Sequence, residues 1–287
     1  MRVLFLVRAN LTTHPGGDTV QVLQTAAALR SRGHDVTLSS AARPALTGHD
    51  VVHLFHLDRL WETVAWCRQL RRAGVPAVLS TIYWPPDEFD RGGRRGWQGR
   101  LARLAGSGSY RTLRIAQRGL IDALRGGHWT RLDARLLRFR SAVRYVFDTV
   151  RVLLPNSAAE RDAIAAEFGA APPAVIVPNA VDLAAFGPPA GPDERGGRGG
   201  VLCVGRIEPR KNQLALIRAL RDTDIPLTFI GQAGRYSRDY AEACRVAAGP
   251  QVTLAGPADA PGLRAAYRAA AVHACPSWDA TPGLASL

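Results

Sequence analysis

The sequence predicts an α/β protein made of two Rossmann-like units, each a parallel sheet with helices on its faces. Short apolar runs rich in Val, Leu and Ile alternate with helical stretches of ten or more residues, the pattern of βαβ units. The alternation is interrupted at Gly187–Gly200, where nine of 14 residues are Gly or Pro, and then begins again. A length of 287 residues also suits roughly two domains of ~150 residues each. The expected division is residues 1–186, a linker at 187–200, and a second unit at 201–287.

The first unit opens with an apolar strand at Arg2–Ala9 and a polar loop containing Pro15-Gly16-Gly17. A helical pattern at Thr19–Arg32 follows and stops at Gly33. Strands are expected at Asp35–Ser39 and Asp50–Leu57, a helix at Leu60–Ala73 ended by Gly74, and a strand at Val75–Tyr83. A Gly-, Arg- and Pro-rich insertion, about 85–151, then interrupts the alternation and carries two helical stretches near Tyr110–Leu124 and Arg131–Val150. Strand Val152–Pro155, helix Ala158–Phe168 and strand Ala174–Pro178 complete this half. In the second half, strands at Val201–Gly205, Leu227–Gly231, Val252–Ala255 and Val272–Pro276 alternate with helices at Asn212–Arg221, Arg238–Ala248 and Pro261–Ala271.

Charge is concentrated in the insertion. Between Arg91 and Arg151 there are 15 arginines against Asp122, Asp133 and Asp148, a net of +12 of the chain's +13. An amphipathic basic segment with Trp97 and Trp129 suits an anionic membrane surface. A solvated helical face in an Arg-rich composition accounts for the charge equally well. No nucleic-acid-binding module accompanies the charge, so nucleic acid is not an expected partner.

No apolar run reaches the ~18 residues of a membrane span, and Arg8 cuts the N-terminal run without a cleavage site after it. Cys67, Cys203, Cys244 and Cys275 form no CxxC pair, which excludes a thiolate zinc cluster and disfavours a disulfide framework. A cytoplasmic chain, with peripheral association at the inner membrane face as an option, is the expectation.

Parallel sheets bind ligands at the carboxyl ends of their strands, so the loops there are the candidate sites. Gly16 and Gly17 lie between the first strand and first helix, where backbone amides and the helix N-terminus favour an anion. An ordinary βα turn explains the loop as well. No GxGxxG is present, which argues against a dinucleotide-binding dehydrogenase. In the second unit, Gly205 leads into Arg206 and, five residues on, Lys211, the single lysine beside 36 arginines. Arg supplies a planar fork for phosphate oxygens and Lys a compact point charge. His53 and His56, three apart at a strand end, would point to opposite faces, so no metal pair is expected.

The string Val204-Gly-Arg-Ile-Glu-Pro-Arg-Lys-Asn212 resembles the signature of family-four glycosyltransferases, retaining enzymes of GT-B fold that use nucleotide sugars. The resemblance covers nearly the whole chain. It extends to the loop at 15–17, Asp50-Val-Val-His53, Leu154-Pro-Asn-Ser157, Val177-Pro-Asn-Ala-Val-Asp182, Ile230-Gly231, and Pro276-Ser-Trp with Thr281-Pro-Gly-Leu284. It implies two domains facing a cleft. A hexose would pass from a nucleoside diphosphate to an unidentified glycan, lipid or small-molecule acceptor, with retention and without metal or other cofactor. Gly16, Gly17, Gly205, Arg206, Lys211, Gly231, Gly283 and Leu284 would bind the donor. Arg206 and Lys211 would stabilise the departing diphosphate, and Gly16 and Gly17 would meet it from across the cleft. His53 and Tyr83 would lie on the acceptor side, Tyr83 taking the place of the family's donor-contacting histidine, while packing inside the first unit accounts for His53 equally well.

Ala280 stands where the family's Glu-x7-Glu motif should begin, with Asp279 beside it, and the second Glu would fall beyond Leu287. These departures imply an incomplete second domain, a fragment of a larger transferase. They also support an alternative: a truncated or degenerate scaffold that binds without transferring sugar.

Overall fold

The computed structural model describes residues 1–13, 15–94, 99–100, 104, 106–124, 137–187, 197–234, 237–278 and 285. The chain separates into two compact units, one of Met1–Pro85 with Arg100–Asn179, the other of Pro86–Gly99 with Ala180–Leu287.

In the first unit, β1 (Arg2–Leu6), β2 (Asp35–Ser39), β3 (Val51–Phe55), β4 (Ala77–Ser80) and β5 (Val152–Leu153) form a parallel sheet in the order β2-β1-β3-β4-β5. Helices α1 (Gly17–Ser31), α2 (Leu60–Ala73), α3 (Ser107–Leu124), α4 (Phe139–Phe147) and α5 (Ala158–Phe168) complete it. Continuous apolar strands are needed because helices cover both sheet faces. One core joins Leu4, Leu6, Leu54 and Leu79 to Trp66 and Leu70 of α2 and Val143 and Val146 of α4. The other packs Val3 and Phe5 against Val22 and Ala26 of α1. α2 stops where Gly74 adopts a left-handed conformation (φ 68°) that a side chain would disfavour.

The second unit holds α6 (Leu183–Phe186), β6 (Gly199–Val204), α7 (Gln213–Ala219), β7 (Leu227–Ile230), α8 (Arg238–Ala247), β8 (Val252–Leu254), α9 (Ala260–Ala269) and β9 (Ala270–His273). Its sheet is parallel, in the order β8-β7-β6-β9. Cys203, Leu214, Ile217, Leu227, Phe229 and Cys244 are buried in its core.

Several elements differ from expectation. The strand expected at Ala174–Pro178 is a single bridge between Leu153 and Ala174, extended by Val175 N–H to Leu153 O and Val177 N–H to Pro155 O. Pro172, Pro173 and Pro178 lack the donors that a longer ladder needs. α4 is shorter than the stretch expected at Arg131–Val150, part of which lies outside the described residues. Cys275, within the strand expected at Val272–Pro276, lies beyond β9 and is exposed. The basic insertion is not one solvated face. Arg111 is buried in an ion pair with Glu167, and Arg94 pairs with buried Asp90 at 2.6 Å in the second unit.

Candidate functional site

In the first sheet the chain leaves β1 toward one edge and β3 toward the other, and such a switch point opens a crevice at the strand ends. Three polar side chains fill it. Arg8, just past β1, makes a two-pronged ion pair with Asp18 in the first turn of α1, its second prong Nη2 to Oδ1 at 3.2 Å. His56, just past β3, brings Nε2 to 3.2 Å from Asp18 Oδ2. Arg8 also donates to Asn10 O at 2.6 Å and Thr19 Oγ1 at 3.1 Å. Burial is the largest single influence on the Asp18 carboxyl and opposes its charge. Hydrogen bonds and charges from His56 and Arg8 together outweigh it and hold the carboxyl well below the usual range. His56 has φ 72°, a left-handed backbone uncommon for a residue with a side chain.

Gly16 sits against this cluster. Its backbone is extended, and a Cβ there would lie 2.8 Å from Asp18 Oδ1, which Arg8 holds in place. Its N–H donates to Thr19 Oγ1 at 3.1 Å, and Gly17 begins α1. A side chain at position 16 would therefore press on the Asp18 carboxylate that links α1 to β1 and β3.

The exits of β4 and β5 are tied together by buried Glu160 of α5. Its Oε1 accepts from Thr81 Oγ1 at 2.5 Å and from Tyr83 N at 2.7 Å, and its Oε2 accepts from Asn156 N at 2.8 Å. Ile82, between two of these contacts, has φ 41°. Tyr83 is buried, and its hydroxyl donates to Glu167 Oε2 at 2.6 Å and accepts from Arg111 Nη1 at 3.0 Å. His53 is buried beside Phe5 and stacked on Phe55, with Nε2 2.8 Å from Ser80 Oγ. Burial pushes its imidazole down to about 3, so it is neutral at physiological pH. Both acceptor-side candidates are thus packed members of the first unit. His53 and His56 take different surroundings because His56 lies past the end of β3 in a left-handed conformation, not because a regular strand turns them to opposite faces.

The second unit's strand exits are built on close backbone approach. A Cβ on Gly231 would lie 2.1 Å from Gly205 O, and both glycines have φ near 145° (144° at Gly205, 147° at Gly231). Gly205 N–H donates to Ile230 O at 2.9 Å, Gly231 N–H to Gly256 O at 2.7 Å, and Ile207 N–H to Gln232 O at 2.9 Å. The chain then makes a single 3₁₀ turn at Pro209–Lys211 and enters α7 through Asn212 at φ 56°. Gln213, buried, donates from Nε2 to Arg206 O at 2.8 Å and anchors the loop from below.

This turn folds Lys211 back over the strand exit. Its Cε and Cδ lie 3.8 and 4.0 Å from where a Gly205 Cβ would be. Among the described residues, no carboxylate lies within ion-pair distance of Lys211. The Arg206 side chain is 50% exposed and 3.5 Å from Glu208 Oε1. Trp278 N–H donates to Arg210 O at 3.0 Å, and the indole packs on Gly92 and Gly93, where a Cβ would come within 2.7 Å of it. The structure therefore brings Gly205, Arg206, Lys211 and Gly231 together at one sheet edge. Gly283, Leu284, Ala280 and Asp279 lie outside the described residues.

Two cavities in the first unit, of about 420 and 230 Å³, lie beside α4 and α5, and none of their lining residues is a sequence-predicted site residue. Among the described residues, no group of three or more His, Cys, Asp or Glu is gathered for a metal ion.

Arg8, Asp18, His56 and Glu160 were not singled out from sequence as site residues, although signals existed. Arg8 is a charge ending an apolar strand, Asp18 follows a Gly-Gly turn, and Ser157-Ala-Ala-Glu160 has capping-box spacing. Ser157 Oγ accepts from Glu160 N at 3.1 Å, but the Glu160 carboxylate reaches the strand exits instead of closing the box.

No protein-family model matches the chain, and no curated protein matches its sequence. Crystal structures of HepE from Anabaena do match its fold. The complex with UDP-glucose aligns with a TM-score of 0.64 at 16% identity, over 98% of this chain and 75% of that one. The complex with UDP and glucose aligns at 0.63 and 15%, over 98% and 76%. Likeness at this identity speaks to the fold alone, and the chain has the GT-B class of α/β fold, with two Rossmann-like parallel sheets.

Proposed function

We propose that the protein is a nucleotide-sugar-dependent glycosyltransferase that moves a hexose with retention to an acceptor of unassigned structure. The observation that carries this reading is the β6 exit, where Arg206 and Lys211, the latter without an ion-pair partner among the described residues, stand beside the closely approaching Gly205 and Gly231. HepE, of like fold, has been crystallised with UDP, with UDP-glucose, and with UDP and glucose. A diphosphate leaving group gathers negative charge as the glycosidic bond breaks. Two fixed cations at a strand exit stabilise that charge without a metal. Gly283 and Leu284 would complete the donor site.

Calorimetric titration with UDP and UDP-glucose tests the site. Each charge-assisted contact is worth about 1.5–3 kcal/mol. Arg206→Ala and Lys211→Ala are each expected to weaken UDP binding by about tenfold or more. Unchanged affinity in both variants would overturn the assignment. Ala280, in place of the family's acid, favours a second reading in which the chain binds a nucleotide sugar without transferring it. UDP-glucose binding without release of UDP in the presence of candidate acceptors would support that reading.

A further inference from the structure

We propose that α3 is a membrane-surface helix that docks the first unit on anionic lipid. This goes beyond the sugar-transfer reading and does not depend on it. α3 spans 18 residues and packs on the core through one face, where Tyr110, Arg111, Ile115 and Gly119 are buried. The opposite face is apolar where solvent should favour polar residues. Leu113 and Leu120 are 53% and 52% exposed, and Leu124 is 79% exposed.

Single exposed leucines are ordinary on a protein surface. These three are not scattered. At 3.6 residues per turn, positions 113, 120 and 124 fall within an arc of about 40°, a stripe along the helix. Arg114 and Arg118, both exposed, form a second stripe beside the leucines. A helix with a leucine stripe bordered by guanidinium groups has the layout of one lying in the plane of a lipid interface. The leucines enter the acyl boundary while the arginines meet the headgroups and bury their aliphatic stems.

Charge selects the occupant. In the first unit Arg114 and Arg118 of α3 are exposed, as are Arg138, Arg140 and Arg144 at and along the neighbouring α4, whereas Arg111 is engaged in an internal ion pair. Such a field attracts a negatively charged bilayer through several arginines at once, each worth a modest increment near the surface. No helix among the described residues is long and apolar enough to cross a membrane, so surface docking is the mode this face supports.

Co-sedimentation of the full chain with vesicles tests the inference. One set is phosphatidylcholine alone, the other phosphatidylcholine with about a third phosphatidylglycerol, each at low and at 0.5 M salt. The chain is expected to pellet with the anionic vesicles and to be largely released by salt or by neutral lipid. The variant Leu113→Gln/Leu120→Gln/Leu124→Gln keeps every charge and is expected to lose at least tenfold in binding with an unchanged melting temperature. Leu124→Gln alone, the most exposed change, is expected to lose a smaller share and guards against misfolding of the triple variant. Equal binding to both vesicle types, binding to neither, or wild-type binding by the leucine variants would overturn the inference. So would a dimer in light scattering that the leucine variant dissolves while vesicle binding stays absent, since the face would then be a protein interface.

Discussion

The strand exits of the two units differ in how their charges are used. At the first sheet the charges are spent internally: Arg8 and His56 on Asp18, Arg111 on Glu167, and Glu160 on three donors at the exits of β4 and β5. At the second sheet they are held in reserve. Arg206 is half exposed with one partner at 3.5 Å, and Lys211 lies over Gly205 with no carboxylate within ion-pair distance among the described residues. A buried network of paired charges fixes the shape of an edge, whereas more weakly held cations can change partners when an anion arrives. On the proposed reading the first edge is a scaffold and the second a receptor.

The strongest way to break this contrast is to remove a hub of the scaffold. Glu160 is fully buried and accepts two backbone N–H groups and a hydroxyl from segments far apart in sequence. Each buried donor left without a partner costs about 1–3 kcal/mol. Glu160→Ala is therefore expected to destabilise the first unit by roughly 4 kcal/mol or more. Urea denaturation followed by Trp fluorescence measures this, and a loss below about 1 kcal/mol would show that water replaces the carboxylate.

A gentler probe is pH. His53 is neutral when folded because burial drives its imidazole down to about 3, whereas in the unfolded chain it titrates near 6.5. Below that value the unfolded state binds a proton that the native state refuses. Stability therefore falls with pH, by about 2 kcal/mol between pH 7 and pH 5. Asp18 acts in a lower window. Its depressed folded pKa stabilises above the ordinary carboxylate value, and that stability is lost as pH drops below about 4. Denaturation at pH 7 and pH 5 should show the first loss in the wild type and less than half of it in His53→Gln.

The same contrast explains what could be read in advance. Local pattern carried the elements: apolar runs at Arg2–Leu6 and Val51–Phe55 became strands, and Gly33 and Gly74 followed helices. The second site was legible because its residues are contiguous, with Gly205, Arg206 and Lys211 within seven positions. The first site was not, because its partners are scattered. Arg8, Asp18 and His56 meet only once β1 and β3 pair, and Tyr83 finds Glu167 and Arg111 at separations of 84 and 28 residues. Tyr83 and His53 were acceptor-side candidates at strand ends, with packing an equal alternative for His53. Pairing with Glu167 and Ser80 makes them interior, and no periodicity in the sequence distinguishes the two outcomes. Even the Asp18 contact was open to inference only in part. The Gly16 turn showed that something approaches closely, but not that an internal carboxylate is what approaches.

The smallest expected effect sharpens the comparison most. Lys211→Ala removes a charge that satisfies no partner among the described residues, from a half-buried position with an aliphatic stem over Gly205. Surface changes of this kind usually shift stability by no more than about 0.5 kcal/mol. The receptor reading therefore predicts two outcomes from one variant. Thermal unfolding in buffer should match the wild type within about 1–2 °C, while the stabilisation produced by a saturating excess of UDP, which follows occupancy, should shrink by about 1.4 kcal/mol for each tenfold loss of affinity. A variant that unfolds early without UDP would mean that Lys211 holds the turn together, and the second edge would then be a scaffold like the first.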